Sequence, residues 1–280
     1  MKVLISGASG QLGRELLRQD GMAPYDVLGV DRSQLDICDK EQVYRVVSQF
    51  RPDIIINCAA YNAVDNCEDD EYYQTAYQVN VVGAENIAKA AEQYGARMVQ
   101  LSTDYVFDGN LRAPLDESAV PNPINRYGYT KLMGEHAALT HCSRTQVVRT
   151  AWLYGEGKNF ARTIQALAKT RSSISVVDDQ FGTPTSTVDL AHALLELMGT
   201  DEYGVFHATN EGACSWYDFA CSIVQKSRLD AEVVRISSKD YGSKARRPAY
   251  SVLENYRLKQ MGIYFRPWED ALSEYLKSQE

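Results

Sequence analysis

The first half of the chain alternates short, uniformly apolar β-rich runs with longer helical patterns. In order these are "KVLIS", a helix from about Gln11, "DVLGV", a helix from about Lys40, "DIIIN", a long helix through "VNVVGAENIAKAAEQYG", and "RMVQLS". Strands that are apolar at nearly every position, rather than at every second one, are covered on both faces. That is the condition of a parallel sheet with helices on either side, so the expectation is an α/β fold with a Rossmann-type doubly wound parallel sheet. The helix containing "INRYGYTKLMGE" and the strand "TQVVRT" continue the pattern. After "TAWLYG" the regularity loosens, without repeats or a low-complexity linker. The reading is a first domain over residues 1–150 and a smaller mixed α/β region over 151–280, with segments interleaved between the two.

Composition narrows the partners. With 45% hydrophobic and 24% charged residues the chain reads as an ordinary globular protein. Its net charge of -8 argues against a nucleic-acid or anionic-membrane surface, so small molecules are the expected partners. The six cysteines form no C-x-x-C pair and no zinc-like cluster with the four histidines. Reduced thiols in a cytoplasmic protein are the simplest account. The expectation is a chain without a signal peptide; it has no run of ~20 apolar residues, and no ligand cluster compels a metal.

"ISGASGQLGREL" puts Gly7, Gly10 and Gly13 directly after the first strand and at the opening of the first helix, with Gln11 and Leu12 between the last two. Glycines there permit a tight turn and close approach of a pyrophosphate to backbone N–H groups at a helix N-terminus. The spacing is G-x-x-G-x-x-G rather than the standard G-x-G-x-x-G. The expected ligand of residues 1–150 is therefore NADPH or NADH. Asp31, at the end of the second strand, is placed to accept from adenosine ribose hydroxyls and favours NADH. Arg32 beside it is placed to pair a 2'-phosphate and favours NADPH, so the choice stays open. Asp36 and Ile37 are positioned to line an adenine pocket. Ala59, Ala60 and Tyr61, after the third strand, let a cofactor lie close.

Two tyrosines precede a lysine in "RYGYTK". Residues four apart on a helix share a face, whereas residues two apart do not, so Tyr127 and not Tyr129 pairs with Lys131. At ~4 Å and an effective dielectric of ~20, an ammonium favours a phenolate by roughly 4 kcal/mol before desolvation. The expectation is a phenol brought toward neutral pH by its lysine.

The glycine loop, "STDYVFDG" after the fourth strand and Y-x-x-x-K on the next helix match the order found in extended short-chain dehydrogenases. More narrowly, the sequence resembles the dTDP-4-dehydrorhamnose reductases along nearly its whole length. The match is carried by "GASGQLG", "CAAYNAVDNCE", "STDYVFDG", "NRYGYTKLMGE", "RTAWLYG", "DQFGTPT", "GVFHATNEGACSW" and "ARRPAYSVL". The resemblance implies reduction of dTDP-4-dehydro-L-rhamnose to dTDP-L-rhamnose with NAD(P)H, the last step of dTDP-rhamnose synthesis. It implies Tyr127 as proton donor, Lys131 as its partner and a ligand of the nicotinamide ribose, and Thr103 as third member. Ser102 and Thr103 are both hydroxyls on one strand and face opposite ways; the family pattern selects Thr103. Asp104 and Trp152 are implied near the sugar nucleotide, and Arg246 or Arg247 at its diphosphate. A dehydratase of this superfamily carries an Asp-Glu pair after the Thr, whereas here Asp104 is followed by Tyr105. A sugar epimerase fits the triad but matches "STDYVFDG" and "RTAWLYG" less well. The rival class is a non-catalytic binding module like the methionine adenosyltransferase β subunit, against which the intact triad argues. A homodimer is the default expectation, and Glu15 on the first helix is placed to meet a cation at a subunit contact.

Overall fold

The computed structural model describes residues 1–279. The first half runs β1 (Lys2–Ser6), α1 (Gln11–Arg18), β2 (Asp26–Val30), α2 (Lys40–Phe50), β3 (Ile54–Asn57), α3 (Asp70–Tyr77), α4 (Ala84–Tyr94), β4 (Arg97–Thr103), α5 (Arg126–His141) and β5 (Thr145–Thr150). The second half adds β6 (Leu153–Tyr154), α6 (Phe160–Ala168), β7 (Ser173–Val177), β8 (Phe181–Gly182), β9 (Thr185–Ser186), α7 (Thr187–Met198) and β10 (Gly204–His207). It closes with β11 (Cys214–Ser215), α8 (Trp216–Lys226), β12 (Glu232–Ile236), α9 (Ser238–Tyr241), α10 (Tyr256–Gln260) and α11 (Trp268–Lys277).

The central sheet has six strands in the order β10-β5-β4-β3-β1-β2, every neighbour parallel. Strand β3 shows why: all of Ile54, Ile55, Ile56 and Asn57 are buried, because helices cover both of its faces. On one face Ile54 and Ile56 pack with α1 and α7 side chains such as Leu16 and Leu194. On the other, Ile55 packs with Val43 and Val47 of α2 and Ile87 of α4. Strand order reverses about β1, so the carboxyl ends of β1 and β3 flank the crevice where such sheets bind ligands.

The long helix expected through residues 79–95 starts later and is preceded by a π-helical turn over Gln78–Gly83. That turn directs Asn80 inward, where its side chain accepts from the Tyr61 N–H at 2.9 Å and donates to the Thr130 hydroxyl at 3.0 Å. The loop after β3 is thereby tied to α5.

Beyond residue 150 the chain crosses between the two regions. Strand β10 extends the large sheet by pairing with β5, and α7 packs on α1. The parallel pair β7–β12 and helices α6, α8 and α11 surround a separate core that includes Ile174, Phe219 and Trp268. Among the described residues no helix is long and apolar enough to cross a membrane.

Candidate active site

The crevice opens at the glycine loop. Gly7 has φ +71°, and a Cβ there would lie 2.7 Å from the Ala59 nitrogen; a Cβ on Gly13 would lie 2.4 Å from the Gly7 carbonyl oxygen. These glycines bring loop, helix and the segment after β3 into direct backbone contact. Helix α1 begins at Gly10 with no side-chain cap and no acidic residue in its first turn. Its N–H groups and the positive end of its dipole are left for an anion, so the residues present fit a pyrophosphate.

Two cavities meet there and share Gly10, Cys58, Ala60 and Asn62. One, of about 280 Å³, is bordered by Gly7, Arg32, Asp36, Ile37, Ala59 and Tyr61. The other, of about 300 Å³, runs past Gln11, Leu12 and Gly13 to Thr103, Tyr127, Lys131 and Trp152. Residues drawn from distant parts of the sequence therefore line one continuous cleft. Asp31 is not on its wall. Its Oδ1 instead accepts from the Ser33 N–H at 2.8 Å and the Ser33 hydroxyl at 2.6 Å, and these bonds hold its carboxyl below the usual range. Arg32, its neighbour, is on that wall.

Helix α5 is started by Asn125, whose side chain accepts from the Gly128 N–H at 2.7 Å. This register buries Tyr127, at 9% exposure, and leaves Tyr129 at 45%. The Tyr127 hydroxyl donates to Asn62 Oδ1 at 3.3 Å, and its ring meets Tyr105 edge-on with centroids 5.9 Å apart.

The electrostatics correct one expectation. Burial, with the nearby Asp104 carboxyl next, pushes the Tyr127 phenol upward, while the Thr103 hydroxyl pulls it down. The Lys131 ammonium, expected at this phenol, donates to the Leu101 carbonyl at 2.7 Å. Burial lowers that ammonium to about 8, opposed by Glu135 and then Cys58. A shared helix face brings Lys131 to the same side as Tyr127, and its long side chain reaches a strand carbonyl there.

The two candidate hydroxyls separate as the strand requires. Ser102 donates to Glu135, while Thr103 donates to Asp104 Oδ1 at 3.0 Å and accepts from the Tyr105 N–H at 3.2 Å. Asp104 is buried and also accepts from Ser251 at 2.5 Å; burial raises its carboxyl to about 6 against those two bonds.

Trp152 sits at φ +47°, a backbone conformation rare for a bulky residue, and lies flat on Trp216 with ring centroids 3.5 Å apart and planes 8° from parallel. Gly182 leaves room for it, since a Cβ there would fall 2.5 Å from the indole. The two arginines part company. Arg246 is exposed and only its carbonyl takes part, accepting from Asn125, whereas Arg247 borders a third cavity of about 510 Å³ between α6, β7 and Trp216.

Asn62, Asn80, Ser251 and Trp216 were not singled out by the sequence. Asn62 and Ser251 lie in the quoted segments "CAAYNAVDNCE" and "ARRPAYSVL", and an Asn within a helical run marked position 80. Asn62 meets Tyr127 from 65 residues away, and Ser251 meets Asp104 from 147. The six cysteines are free, and Glu15 accepts from Gln19 one turn on at 2.5 Å. Among the described residues no cluster of potential metal ligands occurs.

The family model described as RmlD substrate binding domain matches residues 1–280. The spore coat polysaccharide biosynthesis protein SpsK of Bacillus subtilis is 40% identical over 99% of this chain and 97% of its own length. Two solved structures are also close. A dTDP-4-dehydrorhamnose reductase from Clostridium acetobutylicum superposes with a TM-score of 0.97 at 45% identity, covering 100% of this chain and 99% of that one. A dTDP-4-dehydrorhamnose reductase from Bacillus anthracis, in complex with NADP, gives 0.96 at 40% identity and covers 99% of each.

Proposed function

The chain belongs to the RmlD family of dTDP-4-dehydrorhamnose reductases, and from that premise we propose that it reduces dTDP-4-dehydro-L-rhamnose to dTDP-L-rhamnose with NADPH or NADH, closing dTDP-rhamnose synthesis. The observation that carries this reading is the convergence of Thr103, Tyr127 and Lys131 on the cavity that begins at the glycine loop. Neither a structural turn nor a surface Tyr–Lys pair accounts for that arrangement.

Reduced nicotinamide, when bound, supplies the hydride for the C4 carbonyl of the sugar. Tyr127 gives the proton that the carbonyl oxygen requires. Its phenol is fully protonated at neutral pH, as a donor must be. Thr103 holds that oxygen as negative charge develops on it. Lys131 binds the nicotinamide ribose. Gly7, Gly10, Gln11, Leu12 and Gly13 hold the pyrophosphate, Asp36, Ile37, Ala59, Ala60 and Tyr61 the adenosine, and Arg32 a 2'-phosphate. Asp104, Trp152 and Arg247 orient the sugar nucleotide, whose nucleotide end fits the third cavity. In this reading residues 1–150, with the returning β10 and α7, bind the cofactor, and the remainder of 151–280 binds the substrate.

The test is sugar-dependent oxidation of NADPH and NADH by the purified protein, with dTDP-4-dehydro-L-rhamnose generated in place from dTDP-glucose. dTDP-L-rhamnose as product supports the reading. Tight NADPH binding with no turnover on this sugar would replace it with the binding-module reading.

A further inference from the structure

The face of α5 that carries Tyr127 and Lys131 has a third member without a part in the reaction above. Glu135 lies one turn past Lys131 and is 1% exposed. Its carboxylate is gripped from two strands: Arg149 donates through Nε at 2.9 Å and Nη2 at 2.7 Å, and the Ser102 hydroxyl donates to Oε1. Ser102 and Arg149 are register partners across β4 and β5, and the next pair, Thr103 and Thr150, borders the reaction cavity. Successive residues of β4 thus address α5 in turn. The Leu101 carbonyl holds Lys131, the Ser102 hydroxyl holds Glu135, and Thr103 stands beside Tyr127.

A buried ion pair is a poor way to fill space, because apolar side chains of equal volume usually stabilise a fold as well or better. We propose that Glu135 is a positioning residue for the reduction: through Ser102 and Arg149 it locks the register of α5 against β4, and it supplies the anion that keeps Lys131 charged beside the cofactor ribose. The inference rests on the reductase reading given above.

The surroundings of Lys131 single out Glu135 for this task. Tyr127 shares its helix face and Cys58 approaches from the end of β3, while the Asp104 carboxyl, at the end of β4, acts on Tyr127. Arg149 stands behind Glu135 on β5. Behind Arg149 is His207 of β10, with Nε2 3.5 Å from Arg149 Nη1; burial and that guanidinium lower it to about 3, so it is neutral in the working range. Of the groups that favour the Lys131 ammonium, Glu135 is the larger and Cys58, a thiol that burial raises to about 12, the smaller.

Glu135→Gln removes the anion but strands Arg149 in the interior, which endangers the fold. The double variant Glu135→Leu/Arg149→Met removes both charges at similar volume. Ser102→Ala removes one hydrogen bond and keeps the ion pair. Each is assayed for kcat/KM against pH with NADPH and dTDP-4-dehydro-L-rhamnose, and for NADPH affinity against pH by fluorescence. In the charge variants the alkaline limb moves down by about one pH unit or more. In Ser102→Ala the limb stays in place and kcat falls about threefold or more at every pH. A folded double variant whose limb has not moved overturns the electrostatic role, and a Ser102→Ala enzyme with unchanged kcat overturns the register lock. If neither charge variant folds, the electrostatic role is withdrawn and the Ser102→Ala result decides the register lock. Loss of sugar turnover in the unaltered chain would instead remove the reductase reading, and the pH profile of NADPH affinity then decides the inference alone.

Discussion

Arg247 and Asp65 form a two-pronged ion pair, Nη1 to Oδ1 at 3.1 Å and Nη2 to Oδ2 at 2.8 Å, across 182 residues of sequence. Asp65 also accepts from the Ala245 N–H at 3.0 Å, and these contacts hold its carboxyl below the usual range. The pair fastens the C-terminal segment over the loop that follows β3 and leaves Arg247 beside the third cavity. A lysine offers a point charge without the planar fork. Arg247→Lys is expected to raise KM for the sugar nucleotide about tenfold, with kcat changed less, and Arg246→Ala to do little. Steady-state kinetics on both variants checks this; the opposite ranking would assign the diphosphate to Arg246.

Tyr127→Phe keeps the ring packed against Tyr105 and removes only the hydroxyl that donates to Asn62. Turnover should drop by about a hundredfold or more while NADPH affinity holds. Tyr129, half exposed on the opposite side of α5, should tolerate the same change within about twofold. Similar losses in the two variants would show that the helix register is wrong.

Arg32 borders the cofactor cleft, with Nε 3.8 Å from Asp36 Oδ2, while Asp31 is occupied by Ser33. Arg32→Ala is expected to weaken NADPH about tenfold and NADH little, because only the former carries the 2'-phosphate. Fluorescence titration with both cofactors measures the ratio. A ratio that does not change takes Arg32 out of the site.

Asp104 gives a pH signature. Its folded carboxyl is raised to about 6, above the unfolded value, so the folded state holds its proton more tightly. The ionised buried group therefore costs stability in full above pH 6, and the cost vanishes as pH falls below the unfolded value near about 4. Asp104→Asn should gain about 2–3 kcal/mol relative to the parent between these limits as pH rises. Thermal unfolding of both proteins from pH 4 to pH 8 checks it; a difference independent of pH would mean that Asp104 does not titrate in this range.

Periodicity alone was enough to specify the parallel sheet, since strands such as Ile54–Asn57 have no polar face to offer water. Spacing alone also chose between the tyrosines, because 3.6 residues per turn puts Tyr127, Lys131 and Glu135 along one side of α5. What a side chain does when it arrives could not be read that way. Lys131 has reach enough for several acceptors, and the register of α5 on β4 gave it the Leu101 carbonyl. Arg246 and Arg247 are adjacent and identical in kind; they differ because one faces Asp65 and the other does not. Ser251 reaches Asp104 only after the C-terminal segment folds back across the sheet. The sequence by itself determined the local patterns, which depend on neighbours within a turn or a strand. Tertiary structure alone decided the partners, because hydrogen bonds and ion pairs form between groups that the chain brings together from 14 to 182 residues apart.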